Sequence, residues 1–417
     1  MDREVEKWKE KIPSHWEVKK LGELCNTTSG GTPSRGNKNY YNGKIPWVKS
    51  GELEKGIIYD TEEKISEEGV KASSAKIFPK GTLLIALYGA TIGKLAFLGV
   101  DAATNQAICG IFKSDHLDSK YLYFYLFFSK PTLVNQSIGG AQPNISQAII
   151  RGAPIPLPPI AEQQSIVAKI EELFSELEKG KEQLETALAQ LKVYRQSLLQ
   201  AAFSGKLTNP DVKEGELPEG WKWVKLGDVI DTCLGKMLDK SKNKGTLQPY
   251  LRNINVRWGM FELVSLEQMK FEPNEEERYS IRKDDLIVCE GGEPGRSAIW
   301  KNQTKNIKIQ KALHRVRTHS NLKVDFLYHY MKYSAISGIL EKYFTGTTIK
   351  HLTGQGLKKI EIPLPPLIDQ EEIVQILESK LTVCDKIEET IKQSLAQADV
   401  LRQSILKQAF EGKLVGG

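Results

Sequence analysis

Two long segments of the chain carry hydrophobic residues every three, four or seven positions, the spacing of one apolar stripe along an α-helix. Each segment predicts a helix of about 40 residues, roughly 60 Å long at 1.5 Å per residue. Each stripe could be covered by the other helix or by its own neighbouring globular part. The long persistence of the heptad spacing favours pairing of the two helices. The stripe residues are Ile166, Ile170, Leu173, Leu177, Leu184, Leu188, Leu191 and Leu198 in the first segment and Ile373, Leu377, Cys384, Ile387, Ile391, Leu395, Ala398 and Ile405 in the second.

The sequence also marks where both predicted helices begin and end. The letters IPLPP precede each segment, and their prolines do not fit inside a helix. Glu162 and Asp369 suit the positively polarised first turn, and Gly205 and Gly412 suit the termination of the last turn. Gly180, inside the first helix, lowers helix stability by on the order of 1 kcal/mol relative to alanine and predicts a bend there.

Outside these segments the apolar runs are short. TLLIALYG and KLAFLGV predict two strands joined by a glycine turn. The intervening GATIGKL resembles a phosphate-binding loop, but Tyr88 stands where that motif needs glycine and Leu95 where it needs serine or threonine. The pattern therefore indicates a mixed α and β fold without a nucleotide loop.

The whole pattern occurs twice. Trp16 aligns with Trp221 at an offset of 205, YLYFYL aligns with FLYHYM at the same offset, and RQSLLQAAFSGKL recurs as RQSILKQAFEGKL after 207 residues. Lys94 aligns with Arg296, and ATNQA stands opposite IQKAL. Residues 25–150 differ strongly from their counterparts, whereas the segments after IPLPP stay alike. The chain is one duplicated unit with divergent globular parts.

This duplication predicts the domain organisation. A unit that pairs through its helix does so about a pseudo-two-fold axis, which makes the helices antiparallel. We expect two globular domains of similar mixed α and β fold, with their long helices paired as an antiparallel coiled coil. The predicted parts are a first globular domain (1–154), a first long helix (155–207), a linker and second globular domain (208–361) and a second long helix (362–417).

The composition narrows the class of protein. Of 417 residues, 40% are hydrophobic and 26% are charged, which is ordinary for soluble domains. The charged N-terminus has no apolar signal core, and the longest apolar run is broken by glycines. The five cysteines are scattered and form no CxxC pair. We expect a cytoplasmic protein with no membrane segment and no structural metal.

Charge separates the predicted parts. Residues 1–154 carry 20 lysines and arginines against 16 acidic residues, and residues 214–360 carry 25 against 18. The helical segments are slightly acidic, with 7 against 8 in 155–213 and 6 against 10 in 361–417. The basic globular parts favour a polyanionic ligand, and the acidic helices favour protein contacts.

Several basic stretches also carry amide side chains. Lysine and arginine hold phosphates, whereas asparagine and glutamine can bond to adenine and arginine to guanine in the major groove. An ordinary polar loop is the alternative for each stretch, but their occurrence in both copies favours binding. The predicted DNA-contacting residues are Arg35, Lys38, Lys49, Lys94, Asn105, Gln106, Arg252, Asn253, Asn255, Arg257, Arg296, Lys305, Lys308, Gln310 and Lys311.

No catalytic motif emerges from the sequence. The six histidines show no metal-ligand spacing, there is no GxSxG elbow, and there is neither an NPPY-like tetrapeptide nor a glycine-rich cofactor loop. We therefore predict no catalytic residue and no cofactor in this chain.

The order of these motifs resembles the specificity subunit of type I restriction-modification systems. The resemblance rests on the openings WEVKKLGEL and WKWVKLGDV, the two IPLPP joints and the two RQS helix ends, and it covers essentially the whole chain. It implies a non-catalytic subunit that reads a split, asymmetric sequence in double-stranded DNA, one half-site per domain. The long helices would act as spacer and docking surface.

The resemblance also implies partners. Two modification subunits would use S-adenosylmethionine to methylate adenine, and restriction subunits joined through them would use ATP and Mg²⁺. Half-site centres about one helical turn apart, roughly 10 bp, are expected. The alternative is a coiled-coil scaffold or a DNA-binding protein without sequence preference.

Overall fold

The structure is a computed structural model that describes residues 2–136, 144–301 and 306–415. The chain forms two compact units. The first comprises Met1–Leu184 and Gln393–Gly417, and the second comprises Glu185–Lys392. Each unit contains helices and sheets, which confirms the predicted mixed α and β fold.

The first unit is built on a five-stranded sheet of order β2-β10-β7-β8-β4 and a four-stranded sheet of order β5-β3-β9-β6, with β1 and β11 forming a separate pair. The strands are β1 (Glu17–Lys20), β2 (Thr27–Ser29), β3 (Ile45–Val48), β4 (Ile57–Ile58), β5 (Glu63–Ile65), β6 (Ile77–Phe78), β7 (Leu83–Ala86), β8 (Leu95–Leu98), β9 (Ala102–Thr104), β10 (Ile108–Ile111) and β11 (Pro154–Leu157). The helices are α1 (Asp2–Lys9), α2 (Leu21–Leu24), α3 (Glu67–Lys71), α4 (Ser119–Asn135), α5 (Gln147–Arg151) and the first part of α6 (Ile160–Phe203).

The second unit contains a four-stranded sheet of order β13-β21-β18-β19, a three-stranded sheet of order β17-β14-β20, and the pairs β12-β22 and β15-β16. The strands are β12 (Lys222–Lys225), β13 (Ile230–Leu234), β14 (Thr246–Leu251), β15 (Val256–Arg257), β16 (Met260–Phe261), β17 (Glu267–Phe271), β18 (Leu286–Cys289), β19 (Ser297–Ile299), β20 (Lys308–Ile309), β21 (Leu313–Thr318) and β22 (Glu361–Leu364). The helices are α7 (Glu276–Tyr279), α8 (Val324–Ile336), α9 (Gly354–Lys359) and α10 (Leu367–Phe410), of which Leu367–Lys392 lies in this unit.

The two units repeat one topology. The order β2-β10-β7-β8 of the first unit corresponds to β13-β21-β18-β19 of the second, and β5-β3-β9 corresponds to β17-β14-β20. In each of these second sheets, one inner strand runs parallel to a neighbour: β3 pairs with β9, and β14 pairs with β20. The duplication seen in the sequence is therefore a duplication of fold.

The central strands are buried on both faces. All four residues of β7 and all four of β18 are buried, which explains why these segments read as continuous apolar runs without alternation. The predicted strands KLAFLGV and TLLIALYG are β8 and β7, which form an antiparallel hairpin.

The long helices α6 and α10 each contain 44 residues, which confirms the predicted length. Gly205 and Gly412 follow their last turns with φ values of 82° and 69°, in the left-handed region where glycine ends a helix without strain. Helix α6 continues through Gly180 without a break in its helical assignment.

The two long helices run antiparallel within each unit. In the first unit the beginning of α6 shares a hydrophobic core with the end of α10, and Glu178 pairs with Arg402 at 3.4 Å. In the second unit the end of α6 shares a core with the beginning of α10, and Arg195 pairs with Asp385 at 2.7 Å. The two ion pairs occupy equivalent positions in the repeat. Coiled-coil packing along the whole helices stays a prediction.

The predicted stripes coincide only in part with the buried faces of the helices. Ile387 is 44% exposed and lies beside the buried face rather than in it, so its role in helix pairing stays a prediction. The buried seam continues from Cys384 by a step of four residues to Glu388, which pairs with Arg195 at 3.0 Å. Three residues turn a helix by about 300°, so Ile387 lies about 60° from Cys384 around the helix, at the edge of the seam. Among the remaining predicted residues, Ile166, Ile170, Leu198, Ile373, Leu377, Ile391 and Ile405 are buried, and Leu173, Leu177, Leu184, Leu188, Leu191 and Leu395 are half-buried.

A buried glutamine explains the repeated joint before each helix. The side-chain amide of Gln163 donates to the carbonyl oxygens of His116 at 3.0 Å and Pro158 at 2.9 Å, while its oxygen accepts from the Asp118 backbone at 2.8 Å. Gln163 is fully buried. It therefore ties the proline segment and the entry to α4 to the first turn of α6.

The second unit repeats this joint. Gln370 is also fully buried and bonds to the backbone of Asn321, Pro365 and Lys323 at 2.8–3.0 Å. The acidic residue just before each glutamine, predicted as a helix-end charge, also accepts from a tryptophan indole. These bonds are Trp16 to Glu162 at 3.0 Å and Trp221 to Asp369 at 3.1 Å.

Candidate nucleic-acid interfaces

One edge of the smaller sheet in the first unit gathers predicted contact residues from distant parts of the sequence. Strands β3 and β9 are parallel, with Trp47 opposite Ala103, so their carboxyl ends lie side by side. Lys49 follows β3 directly, and Asn105 follows β9. The Asn105 backbone donates to the carbonyl oxygen of Val48 at 2.9 Å, which fixes the two strand ends together.

A glycine loop reaches the same edge. The Trp47 indole donates to the Gly31 carbonyl oxygen at 3.0 Å, and a Cβ on Gly30 would lie 2.0 Å from the Thr104 hydroxyl. Only glycine permits this close approach. The loop carries Arg35 over the Tyr41 ring at 4.3 Å, so the guanidinium is held at the edge by a cation–π contact.

The basic residues of this edge are already paired with carboxylates. Arg35 pairs with Glu63 at 2.5 Å, Lys49 pairs with Glu62 at 2.7 Å, and Lys94 pairs with Glu54. The Lys49 ammonium lowers the pKa of Glu62. A phosphate group that bound at this edge would therefore have to replace the carboxylate partner of each of these side chains.

Two further predicted residues of the first unit, one charged and one neutral, are exposed. Lys38 lies on a short 3-10 helix, and the part of the chain that the structure describes offers it no acidic partner. Gln106 is exposed beside Asn105 and accepts from the Thr32 hydroxyl.

The second unit builds the equivalent edge from other side chains. Strands β14 and β20 are parallel, with Leu251 opposite Ile309. Arg252 follows β14, and Gln310 follows β20 and donates from its backbone to the Leu251 carbonyl oxygen at 3.1 Å. These backbone bonds place Arg252 at the position of Lys49 and Gln310 at the position of Asn105. The sequence alignment of ATNQA with IQKAL was therefore wrong by one residue, because it set Gln310 opposite Thr104. Lys311, beside Gln310, is exposed.

A strand hairpin completes each edge. In the first unit, the turn between β7 and β8 brings Lys94 to the loop after β3 through its contact with Glu54. In the second unit, Arg296 between β18 and β19 donates to the Asn253 carbonyl oxygen at 2.9 Å and pairs with Glu293 at 2.8 Å. Arg296 therefore positions the loop after β14, with only 12% of its side chain exposed.

Two predicted DNA-contacting residues belong to the fold instead. Lys308 is fully buried, and its ammonium donates to Glu276, Ser280 and Asn306. Asn255 is 4% exposed and its side chain accepts from the Arg252 backbone at 2.9 Å. Neither side chain has a surface with which to contact DNA, so the prediction does not hold for them.

Arg257 is exposed but forms a two-point ion pair with Glu262, at 2.8 and 3.3 Å. Lys305 lies outside the described residues.

The sequence reasoning missed a hairpin loop in the second unit. Thr345 and His351 form an isolated antiparallel bridge, and the segment between them is exposed, including Lys350. The His351 ring lies beside Gly291, near the β18–β19 hairpin. One lysine among threonines gave no basic pattern, so composition could not single out this loop.

Among residues 2–136, 144–301 and 306–415, no group of three or more histidine, cysteine or acidic side chains is placed to hold a metal ion. Within the same residues, no helix combines the length and apolar character needed to cross a membrane.

Known proteins share this organisation. The model of the type I restriction modification DNA specificity domain matches residues 13–186 and again residues 218–397. The EcoKI specificity subunit of Escherichia coli strain K12 is 24% identical over 427 residues, covering 97% of this chain and 90% of that protein. The EcoBI specificity subunit of Escherichia coli is 28% identical over 331 residues, covering 75% and 69%.

Two solved structures share the fold. A chain from a study of complex assembly and conformational transition of the type I R-M system has a TM-score of 0.73 and 22% identity, covering 97% of this chain and 99% of that one. The HsdS subunit from Thermoanaerobacter tengcongensis has a TM-score of 0.67 and 21% identity, covering 96% and 98%. Because the family model matches both copies of the duplicated unit, the chain belongs to the family of type I restriction-modification specificity subunits.

Proposed function

We propose that each compact unit reads one half of a split, asymmetric target in double-stranded DNA and that the chain catalyses no reaction itself. One observation carries this proposal. The same strand-end edge occurs in both units, with Lys49 and Asn105 in the first replaced by Arg252 and Gln310 in the second. A shared scaffold with different basic and amide side chains is what two different half-sites require.

The long helices would dock two modification subunits, which are adenine-N6 methyltransferases, and through them restriction subunits. Exposed apolar residues support this proposal. Val193 and Tyr194 on α6 are 60% and 46% exposed, and Val400 and Leu401, their equivalents on α10, are 69% and 50% exposed. An exposed apolar pair repeated on both helices suits two copies of one protein partner.

Cofactors would belong to those partners. The modification subunits would bind S-adenosylmethionine, and the restriction subunits would use ATP and Mg²⁺. This chain would act in the cytoplasm, where the partners meet DNA.

The test is to co-express the chain with the modification subunit of the same genome and to map methyladenine across the host DNA by single-molecule sequencing. The proposal predicts one bipartite motif with a fixed gap. A stable complex without a motif would contradict DNA reading and leave docking intact. Failure to bind any modification subunit would favour a scaffold.

A further inference from the structure

A polar groove opens beside the recognition edge of the second unit. It has a volume of about 550 Å³ and lies over one face of the sheet β13-β21-β18-β19. Its lining includes Thr232, Glu290, His314 and Gly354. Glu290 follows β18 and His314 lies at the start of β21, the strand that follows Gln310 by a short turn. The groove is therefore adjacent to the residues proposed to meet DNA.

Two buried polar atoms of this groove have no hydrogen-bond partner within the described chain: the Thr232 hydroxyl oxygen and Nδ1 of His314. The Nε2 atom of His314 lies 3.1 Å from the Leu352 carbonyl oxygen, so Nε2 is the donor and Nδ1 presents a free lone pair. Burial lowers the pKa of His314, which keeps the ring neutral and Nδ1 an acceptor near pH 7.

The carboxylate of Glu290 adds a third acceptor. The Glu290 backbone is fixed, because its N–H donates to the Ala312 carbonyl oxygen at 2.8 Å and its carbonyl oxygen accepts from the Leu352 backbone at 2.8 Å. Its carboxylate has neither a hydrogen bond nor an ion pair in the part of the chain that the structure describes. A fixed backbone and an unpaired carboxylate are what a ligand-binding acceptor needs.

In the first unit a glutamine side chain covers the threonine at the equivalent place. Thr27 is equivalent to Thr232, because they lie opposite Ile111 and Val316 in matching strands. Gln147, in the first turn of α5, donates to the Thr27 hydroxyl at 3.0 Å and to its carbonyl oxygen at 2.7 Å.

In the second unit the position of Gln147 is taken by Gly354, which begins α9 after an equivalent threonine cap. Without a side chain at Gly354, the Thr232 hydroxyl stays bare and the groove stays open. Leu87 and Cys109 are likewise replaced by Glu290 and His314. Among the described residues, the bare threonine hydroxyl with an unpaired carboxylate beside it therefore occurs at this place in the second unit and not in the first.

The chemistry of the groove selects its ligand. Lys358 also lines the groove, but it forms no ion pair with Glu290 among the described residues. An unpaired carboxylate beside a phosphate-binding edge repels phosphates, whereas a hydrogen-bond donor at the same place would be held by it. The donors that DNA bases present in the major groove are the exocyclic amino groups of adenine and cytosine. We propose that Glu290 accepts a hydrogen bond from such an amino group, in the half-site read by the second unit, and that Gly354 keeps the groove open for it. This inference rests on the proposed function.

The experiment compares methylation motifs of complexes carrying Glu290→Leu or Gly354→Gln with that of the unaltered complex. Glu290→Leu removes the acceptor oxygens, so one adenine or cytosine should become degenerate in the half-site that Gln310→Ala also affects, with a loss of discrimination of about 5- to 150-fold. Gly354→Gln should weaken discrimination at the same position by filling the groove. The other half-site should stay unchanged in both variants and so report correct folding.

The control is Glu219→Leu, which makes the same substitution at an exposed position before Trp221 and should leave the motif unchanged. An unchanged motif in both groove variants, with the unaltered complex giving a bipartite motif, overturns this inference alone. A change in both half-sites also overturns it. If the unaltered complex gives no motif, the proposed function fails and this inference fails with it.

Discussion

At the scale of single residues, amide and lysine side chains at one edge should have different effects on binding. Gln310 occupies the end of β20 beside Lys311. Gln310→Ala should relax the sequence requirement at one base pair of one half-site by about 1–3 kcal/mol, because an amide that bonds to a base edge distinguishes bases. Methyladenine mapping of the variant complex measures this change.

Asn105→Ala is the matched variant in the first unit, and its effect should appear in the opposite half-site. Uniform weakening across all sequences by either variant would indicate phosphate contacts only and contradict base reading at these positions.

Lys311→Ala should act differently, because an exposed lysine holds phosphate without reading sequence. We expect weaker binding of all DNA sequences and a salt dependence reduced by about one unit of slope. Titration of the complex with target and non-target duplexes between 50 and 200 mM salt would measure both quantities. A change in the recognised motif would contradict this assignment.

The buried ion pair between Lys308 and Glu276 stabilises the second unit rather than DNA binding. Lys308 is fully buried, whereas 42% of the Glu276 side chain is exposed. Glu276→Gln leaves a buried ammonium without its anion and should cost about 2–3 kcal/mol of unfolding free energy. Lys308→Met should cost less, because the remaining carboxylate can reach water. Denaturant unfolding of the full chain would measure the loss of unfolding free energy in both variants. An equal or larger loss in Lys308→Met would contradict this account of the ion pair.

The same pair predicts a pH dependence. The hydrogen bond from Lys308 lowers the pKa of Glu276 from 4.5 to about 2. A depressed carboxyl pKa stabilises the folded state above the unfolded pKa, and that contribution is lost as the pH falls from about 4.5 towards 2. The difference in unfolding temperature between wild type and Glu276→Gln should therefore be constant near neutrality and shrink below pH 4.5. A difference in unfolding temperature that stays constant down to pH 3 would contradict a stabilising ion pair between Glu276 and Lys308.

At the scale of elements, the buried glutamine of each joint should hold the globular part to its long helix. Gln163→Ala removes three hydrogen bonds and leaves buried backbone groups unpaired, each worth about 1–3 kcal/mol. Gln164, one residue later, is exposed and gives the matched control Gln164→Ala. Thermal unfolding should show a clear loss for Gln163→Ala and almost none for the control. Equal small losses would mean that the joint does not depend on the glutamine.

How far the sequence predicts an element depends on how local its causes are. The lengths and ends of α6 and α10 follow from heptad spacing, prolines and glycines, all of which act within a few residues. The partial exposure of Ile387 did not follow from the sequence, because spacings of three and four residues alternate and only the partner helix decides which one a given turn uses. The joint glutamines were missed because two of the three backbone partners of each lie more than 40 residues away.

The same limit applies to the candidate site. Basic and amide residues were recognised by composition, and the structure brings Lys49, Asn105 and their counterparts to equivalent edges. Lys308 has the same composition signal but is buried, because Glu276 approaches it from another part of the chain. Composition identifies the chemistry of a residue, whereas its exposure is a tertiary property.

At the scale of the whole molecule, the long helices are proposed to set the gap between half-sites. Inserting one heptad into α6 and one into α10 keeps the buried seam in register and lengthens each helix by about 10 Å. The gap should grow by about 3 bp at 3.4 Å per base pair, with both half-sites unchanged. Methyladenine mapping would show this directly, and an unchanged gap would contradict a spacer role.

The central claim is that each unit reads its own half-site, and an exchange of units tests it most directly. Residues 21–153 and 226–360 have matching ends, because Leu21 bonds to Ala153 and Leu226 to Ile360 through equivalent backbone hydrogen bonds at 2.9 and 2.8 Å. Replacing 21–153 by a second copy of 226–360 gives a chain with two identical reading units. We predict that the mapped methyladenine motif becomes an interrupted repeat of the second half-site alone. Retention of the original first half-site by an intact complex would contradict the account.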